Sequence, residues 1–373
     1  MKLLYVTSLS GRRINGFMRS AIIAAKDLGI DFTMACNMDM ADKEGYAEDC
    51  KNYRIKTVHV DFDRNPLGKK NKTAYHELLA IITGGGYDVV HCNTPIGGVL
   101  GRICAHNAKT TTVIYQAHGF HFWNGAPIKN WMIYYPVERL LAHWTDILIT
   151  INKEDYQRAK SFRLNKNGKL ILHPGVGVNI RDFQDVVINR DEKRKELGIE
   201  KKQIAFITVG ELIDRKNHDI LLDAIKQLND KNVVLLIVGS GANTDRLQAR
   251  IEKEELITSV KLLGYRTDVK ELLKAADCFV FPSLQEGLPG ALMEAMAAGL
   301  PCIASNIRGN KDALDDSEFM FSPNDCNSLV ALMEKMLNAE TRNLEAEKNK
   351  ERIERFDISE SIKAYKNIYQ ELK

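Results

Sequence analysis

The sequence lacks any apolar run approaching the roughly 18 residues of a membrane-spanning helix, which argues against an integral membrane protein. It also lacks a Cys-x-x-Cys pair. Its 7 cysteines (Cys36, Cys50, Cys92, Cys104, Cys278, Cys302, Cys326) are odd in number and scattered. That usage fits reduced thiols in a cytosol rather than a disulfide framework or a structural zinc site. There is no charge excess: 52 Lys+Arg stand against 49 Asp+Glu, a net charge of +3, so bulk charge does not point to nucleic acid. With no internal repeat and no low-complexity tract, collagen, coiled-coil and disordered classes drop out. The opening Met1-Lys2-Leu3-Leu4-Tyr5-Val6-Thr7 is too short and too strand-like for a signal peptide. What is there, 45% hydrophobic and 27% charged residues over 373 positions, is the balance of a globular chain long enough for two cores. The expectation is a two-domain cytoplasmic protein.

Short β-branched runs alternate with longer amphipathic stretches from end to end, the pattern of βα units on parallel sheets. In the first half strands are expected at 3–7, 32–36, 57–60, 88–92, 112–117, 146–151 and 169–173. Helical patterns lie near 17–28, 73–83, 98–107 and 131–143. The regularity lapses after His173-Pro174-Gly175-Val176-Gly177, and the charged segment 191–202 reads as a solvated helix leading into a second series. There strands are expected at 204–209, 233–238, 260–263, 278–281, 302–305 and 319–321. The accompanying helices fall at 220–228, 244–254, 292–298, 328–337 and 358–372. The fold class is therefore α/β: two doubly wound parallel-sheet domains, residues 1–178 and 179–357. In such sheets ligands bind at the carboxyl ends of strands, so chemistry is sought in the loops that follow them.

The most informative stretch runs from Phe281 to Pro301: a strand, a Gly/Pro-rich loop, then a helix ending at Gly299 with Pro301 just beyond. Glu286 lies in the loop and Glu294 in the helix. A glycine-rich loop opening a helix turns free N–H donors outward, which suits a phosphate or a hydroxyl-rich group. A carboxylate beside it repels phosphate and accepts from sugar hydroxyls instead. The plainer alternative is two acids on a solvated loop and helix face. A second signal, Thr208 to His218, also follows a strand and places Arg215 and Lys216 where a departing nucleoside diphosphate would need cations. The plainer alternative there is a surface basic pair.

The Phe281–Pro301 stretch closely resembles the signature of the retaining glycosyltransferases of family 4, which have the GT-B fold. That family carries Glu, seven residues and Glu in an E-G-x-P…E-A-M-A-x-G-x-P context, matched here nearly residue for residue. The resemblance implies two Rossmann-like domains with an interdomain cleft, an amino-terminal half for acceptor, a carboxyl-terminal half for donor, and a last helix (358–373) packing back on the first domain. It implies that Glu286 contacts donor-sugar hydroxyls, Glu294 holds ribose hydroxyls, N–H groups around Gly287 and Leu288 face sugar and phosphates, and Lys216 binds the diphosphate. Many members have Gly-Arg where this chain has Gly210-Glu211, so the second cation must come from elsewhere, Arg215 or Arg266. Gly239, in Val238-Gly239-Ser240-Gly241, resembles the nucleotide-side glycine turn, and Ser305-Asn306-Ile307-Arg308-Gly309-Asn310 resembles a loop after the next strand that faces the same cleft. Tyr265, in Leu263-Gly264-Tyr265-Arg266, resembles the segment flanking the base, where it would either stack or simply pack. In the first loop only Gly16 carries over, since the family's Gly-Gly doublet is missing. His118 matches a His beside the donor sugar, with a purely structural role the alternative. The His118-x-x-His121 spacing is not completed by a carboxylate or Cys, and no Asp-x-Asp is positioned to hold a metal beside a diphosphate, so no metal and no cofactor other than the nucleotide-sugar co-substrate is expected.

Two amino-domain stretches are unbalanced. Arg64 to Lys72 carries four cations and no acid, and Ile128 to Pro136 mixes a cation with large aromatics, a composition suited to an interface. With His91-Cys92-Asn93-Thr94-Pro95-Ile96-Gly97-Gly98, the chain resembles the subgroup that builds capsule, exopolysaccharide or lipid-linked oligosaccharide on polyprenyl-pyrophosphate-linked acceptors at the cytoplasmic membrane face. The expected reaction is transfer of a hexose or N-acetylhexosamine from a nucleoside-diphosphate sugar, a UDP-sugar by preference, to a hydroxyl of a glycan or lipid-linked glycan with retention. Nucleic acid is not an expected partner. A glycosidase fits poorly, because eight helical steps would separate the two Glu Cα atoms by about 12 Å, against the roughly 5–9.5 Å between carboxyl groups that hydrolysis needs. Two rivals stay open: a nucleotide-sugar 2-epimerase of the same fold, and a non-catalytic partner subunit.

Overall fold

The computed structural model describes all residues except Leu9, Asn15, Arg64, Thr111 and Lys373. The parts of the first loop at Leu9 and Asn15, of the basic stretch at Arg64 and of the last helix at Lys373 thus lie outside the described residues. The chain forms two compact units, Met1–Gly177 with Ile358–Lys373, and Val178–Asp357.

The first unit holds β1 (Lys2–Val6), β2 (Asp31–Cys36), β3 (Lys56–His59), β4 (Val89–Asn93), β5 (Thr112–Ala117), β6 (Ile147–Thr150) and β7 (Lys169–Leu172). They pair in parallel in the order β3-β2-β1-β4-β5-β6-β7. The register is fixed by buried positions: Tyr5 of β1 faces Met34 of β2 on one side and His91 of β4 on the other. Both sheet faces are covered, so these strands are apolar along their length rather than alternating. The final helix, Ile358–Gln370, belongs to this unit and buries Tyr365, Ile368 and Tyr369 in the core that also contains Leu3 and Ala21.

The second unit holds β8 (Ile204–Val209), β9 (Val233–Val238), β10 (Val260–Gly264), β11 (Cys278–Phe281), β12 (Cys302–Ser305) and β13 (Met320–Phe321), in the parallel order β10-β9-β8-β11-β12-β13. Strand order reverses between β1 and β4 in one sheet and between β8 and β11 in the other. At such a switch point the two flanking loops diverge and leave a crevice beyond the strand ends. The loops after β8 and β11 are the two that the sequence singles out.

Three departures have physical reasons. The charged segment near 191–202 is a shorter helix, Arg190–Glu196, and it is not wholly solvated. Arg194 turns inward onto Asp277 at 2.9 Å and the carbonyl of Ala275 at 3.0 Å. The helix Ala339–Ile353 escapes the hydrophobic pattern because part of its inward face is polar. Glu345 there accepts from Ser317 at 2.9 Å, and Asn349 donates to the carbonyl of Leu300 at 3.0 Å. The helix Lys43–Tyr53 buries little apolar surface beyond Tyr46, so it too leaves no helical stripe.

Candidate functional site

In the second unit the turn after β8 is shaped by close backbone approach. A Cβ on Gly239 would lie 1.9 Å from the carbonyl oxygen of Gly210, and one on Gly241 would lie 2.5 Å from that of Leu212. Both glycines are thus required where the loops after β8 and β9 run against one another, and Gly239 further sits at φ +140°. The chain then makes a single turn at Asp214–Lys216, which ends on Asn217 in the left-handed conformation at φ 54°. Asn tolerates that conformation better than most residues. This turn delivers Arg215 and Lys216 side by side.

The loop after β11 meets them. Glu286 Oε1 accepts from Lys216 Nζ at 2.6 Å, Arg215 Nη1 at 2.9 Å and Ser283 Oγ at 2.6 Å. Arg215 also donates to the carbonyl of Gln285 at 2.6 Å, and the Leu284 N–H donates back to the carbonyl of Arg215 at 2.8 Å. Lys216 Nζ lies 4.7 Å from the centroid of the Phe281 ring, which shields one side of the ammonium. The carboxylate is nearly buried (12% exposed), Lys216 likewise (14%), and Arg215 is open at 40%. Electrostatically, one carboxylate gathers two cations that would otherwise repel, and leaves one positive charge in excess. Among the described residues nothing bonds Glu286 Oε2, so that oxygen is an open acceptor.

Ser283, which the sequence reading did not single out, and the segment 305–310, which it did, hold this loop in position. Ser283 donates to the Glu286 carboxylate directly. Arg308 Nε donates to the carbonyl of Glu286 at 3.0 Å from the start of the short helix Arg308–Leu314. Ser305 donates to the carbonyl of Ser283 and receives Asn310 Nδ2 at 3.1 Å. A Cβ on Gly309 would fall 2.6 Å from the carbonyl oxygen of Gly287 and 3.2 Å from the Cα of Leu288, so only glycine lets that helix close on the loop. The cue in the sequence is the polar string Ser305-Asn306-Ile307-Arg308-Gly309-Asn310 directly after a strand.

Glu294 projects from the helix Gly290–Ala297, half-buried, and no described side chain hydrogen-bonds its carboxylate. Burial raises its pKa above the usual carboxylate range, with the attraction of Lys270 offsetting part of the rise. His218, next after Asn217, is buried. Desolvation and repulsion from Lys216 push its pKa down to about 4, so it stays neutral beside the cations. Tyr265 is 79% exposed, which removes the core-packing alternative for its ring. Arg266 is not part of the cation cluster. It pairs with Asp268 through two bonds of 2.7 and 2.6 Å and with Glu196 at 3.1 Å, and those bonds hold the Asp268 carboxyl far below its ordinary pKa. Glu211, where many relatives have Arg, is exposed to solvent.

In the first unit no charged side chain stands directly after β4 or β5. His118 Nε2 pairs with Asn93 Oδ1 at 3.1 Å, and its ring lies 4.0 Å from the ring of Phe17. Desolvation, then repulsion from His173, pushes the His118 pKa down to about 3, so the ring is a neutral hydrogen-bonding group. Asn93 is followed by Thr94 at φ 61°, ψ 159°, a conformation otherwise almost confined to glycine. The Thr94 hydroxyl holds the turn by accepting from Ser8 N at 3.0 Å and donating to the carbonyl of Asn93 at 2.5 Å. Gly16 opens the helix Gly16–Asp27 with open space where a Cβ would stand.

Among the described residues no group of three His, Cys, Asp or Glu side chains could hold a metal ion. An Asp-x-Asp does occur, Asp61-Phe62-Asp63, but it lies in the first unit. Asp61 there pairs with Lys70 at 2.9 Å and Asp63 caps the Asn65 N–H at 2.9 Å. No helix is long and apolar enough to cross a membrane, among the described residues.

With this geometry in hand, residues 189–354 match the family model for Glycosyl transferases group 1, and residues 2–152 match Glycosyl transferase 4-like. The chain is 39% identical over 264 residues to the putative glycosyltransferase EpsD of Bacillus subtilis, covering 69% of each chain. It is 31% identical over 310 residues to the UDP-Gal:alpha-D-GlcNAc-diphosphoundecaprenol alpha-1,3-galactosyltransferase of Escherichia coli, covering 80% of this chain and 79% of that one. Among solved structures, HepE of Anabaena in complex with UDP-glucose superposes with a TM-score of 0.80 at 17% identity, over 100% of both chains. WaaG, a glycosyltransferase of lipopolysaccharide biosynthesis, does so with a TM-score of 0.71 at 18% identity, over 99% of both.

Proposed function

The chain belongs to the group 1 glycosyl transferases, with the GT-B fold, and from that premise we propose that it moves a hexose or N-acetylhexosamine from a UDP-sugar to a hydroxyl of a lipid-linked glycan during surface polysaccharide synthesis, with retention. The observation that carries the donor half is the cluster of Lys216, Arg215 and Glu286 at the β8/β11 switch point. The acceptor class is supported by the Escherichia coli relative, whose acceptor is linked to diphosphoundecaprenol, and uridine by that relative and by the UDP-glucose complex of HepE. Work on such an acceptor would be done at the inner face of the cytoplasmic membrane.

As the bond between the anomeric carbon and the diphosphate oxygen breaks, negative charge grows on that oxygen. Lys216, Arg215 and the loop N–H groups of Gly287 and Leu288 are the donors set to meet it, and they need no reorganisation when the charge appears. Glu286 Oε2 accepts from a donor-sugar hydroxyl while Oε1 keeps the cations together. Glu294 accepts from the ribose hydroxyls, and Tyr265 stacks on the base. Gly239 belongs to the nucleotide side through the loop it shapes. In the first unit the resemblance gives His118 and Gly16 donor-side roles. The acceptor oxygen bonds to the anomeric carbon on the face the diphosphate leaves, and its proton passes to the departing phosphate oxygen. No protein nucleophile is required. Arg215 supplies the second cation in place of Glu211, since Arg266 is committed to Asp268.

The test is release of nucleoside diphosphate from a panel of UDP- and GDP-sugars, with and without polyprenyl-diphosphate-linked acceptor. Release from one UDP-sugar, lost in Lys216→Ala and Glu294→Ala, is expected. Conversion of one nucleotide sugar into its 2-epimer without release would favour the epimerase. Nucleotide binding without any turnover would favour a non-catalytic subunit.

A further inference from the structure

The helix Ile128–Ala142 in the first unit is apolar on both faces. Its inward face is accounted for. Trp131, Tyr134 and Tyr135 pack on the core, Leu141 and Ala142 are buried, and Glu138 turns in to Arg102 at 2.8 Å and Tyr115 at 3.0 Å. The opposite arc carries Ile128 (77% exposed), Met132 (72%), Ile133 (58%), Val137 (38%) and Leu140 (61%). At about 100° per residue these positions, with Lys129, Pro136 and Arg139, fill one continuous half of the helical wheel. The exposed apolar residues elsewhere in the molecule, such as Met40, Leu172, Val187 and Ile257, are far apart in sequence and single. A soluble surface helix normally turns charged and polar groups outward, so a half-wheel of exposed large apolar residues marks a binding face.

The charges on that face choose the occupant. Its only ionisable residues are Lys129 and Arg139, both exposed and neither in an ion pair among the described residues, while the one acid of the helix is turned inside. Apolar side chains with flanking cations and no acid match an anionic lipid surface, where the apolar arc sinks about 5–10 Å and the cations meet headgroups. The helix is 15 residues and lies along the surface rather than crossing. A second copy of the chain fits less well. One face of a helix about 22 Å long offers far less than the roughly 800 Å² per partner of a stable interface, and a twofold contact would bring like charges together.

We propose that the outward face of Ile128–Ala142 docks the first unit on an anionic bilayer. The inference rests on the reading of a lipid-linked acceptor, and it names the element that brings the enzyme to that acceptor's surface. The experiment is co-sedimentation of the full chain with vesicles of equal parts phosphatidylethanolamine and phosphatidylglycerol, against vesicles of phosphatidylcholine. Wild type is expected to bind the anionic vesicles and to come off as salt rises. Met132→Glu with Leu140→Glu should weaken binding by about tenfold or more. Lys129→Ala with Arg139→Ala should weaken it about fivefold per cation. Every one of these side chains is exposed, so melting temperature and nucleoside-diphosphate release from the donor sugar should stay at wild-type level. Binding that is unchanged in both double variants, or absent from wild type, overturns the proposal. So does a wild-type dimer that Met132→Glu with Leu140→Glu dissociates without any vesicle binding. Loss of donor turnover in wild type would instead sink the transferase reading, and the two failures are read by separate assays.

Discussion

The second unit carries a charged cluster at its switch point, between β8 and β11, whereas the first carries a neutral cluster beside its own, beyond β4 and β5. Beyond β8 and β11 the second unit gathers Arg215 and Lys216 within 2.9 Å of the Glu286 carboxylate. Beyond β4 and β5 the first unit places His118 and Asn93, with the neutral side chains of His91, Gln116 and His173 in the sheet behind them. The first arrangement is an unsatisfied charge system with one cation in excess. The second is desolvated and uncharged, tied through His91 to Tyr369 at 2.9 Å and through Gln116 to Tyr365 of the last helix. A shared topology therefore fixes where ligands can approach and leaves open what they meet there.

The comparison breaks most visibly at Lys216. Lys216→Ala is expected to lower kcat/KM for the donor by about 10²–10³-fold, the cost of removing one preorganised donor from a developing charge. Asn93→Ala in the first unit is expected to cost far less in donor-only release. Gly309→Ala comes next. It touches no ligand, but its new Cβ would meet the carbonyl of Gly287, so kcat is expected to fall about tenfold through displacement of the Glu286 loop. Of the two candidate cations, Arg215→Ala should cost about tenfold and Arg266→Ala less than about twofold in kcat/KM, and equal losses would show that the pairing of Arg266 with Asp268 is not retained during turnover.

Titration sharpens the same contrast. His118 and His91 are held at about 3, and His173 at about 4, below the ordinary value for histidine. The unfolded chain therefore binds protons that the folded unit refuses. The stability these groups confer is present above their unfolded pKa of about 6.5 and is lost progressively as pH falls from there through about 4 to about 3. Thermal unfolding at successive pH values should show that loss, and His91→Gln should flatten it. In the second unit Glu294 has the opposite shift. In the role proposed for it, accepting ribose hydroxyls, its carboxylate must be ionised, so donor KM should rise as pH falls, at a higher pH than an exposed glutamate would give, and Glu294→Gln should remove that limb.

The strands and the β8 and β11 loops were legible in the sequence, because buried parallel strands are continuous apolar runs and Gly-Pro punctuation marks their ends. The motifs put Glu286 and Lys216 on loops after two strands, and the structure brings those two side chains together. What stayed hidden shares one physical cause: polar groups whose partners lie far along the chain. Arg215 reaches Glu286 across 71 residues, whereas the claim of Asp268 on Arg266, two positions away, was there to be read. Ser283 looks like an ordinary loop residue until the loop is seen folded around it. The helix Ala339–Ile353 hid because Glu345 and Asn349 face inward and are satisfied there. The expected 131–143 helix was found as Ile128–Ala142; its interfacial composition was legible, but its aromatics pack inward and the exposed arc is aliphatic.

The central claim is that the Lys216 cluster is built for the second phosphate of a nucleoside diphosphate. The most direct measurement is calorimetric titration of wild type and Lys216→Ala with UDP and with UMP. Tighter binding of UDP than UMP to wild type, with the difference abolished in the variant, is the predicted result. An undiminished preference for UDP in Lys216→Ala would contradict the account.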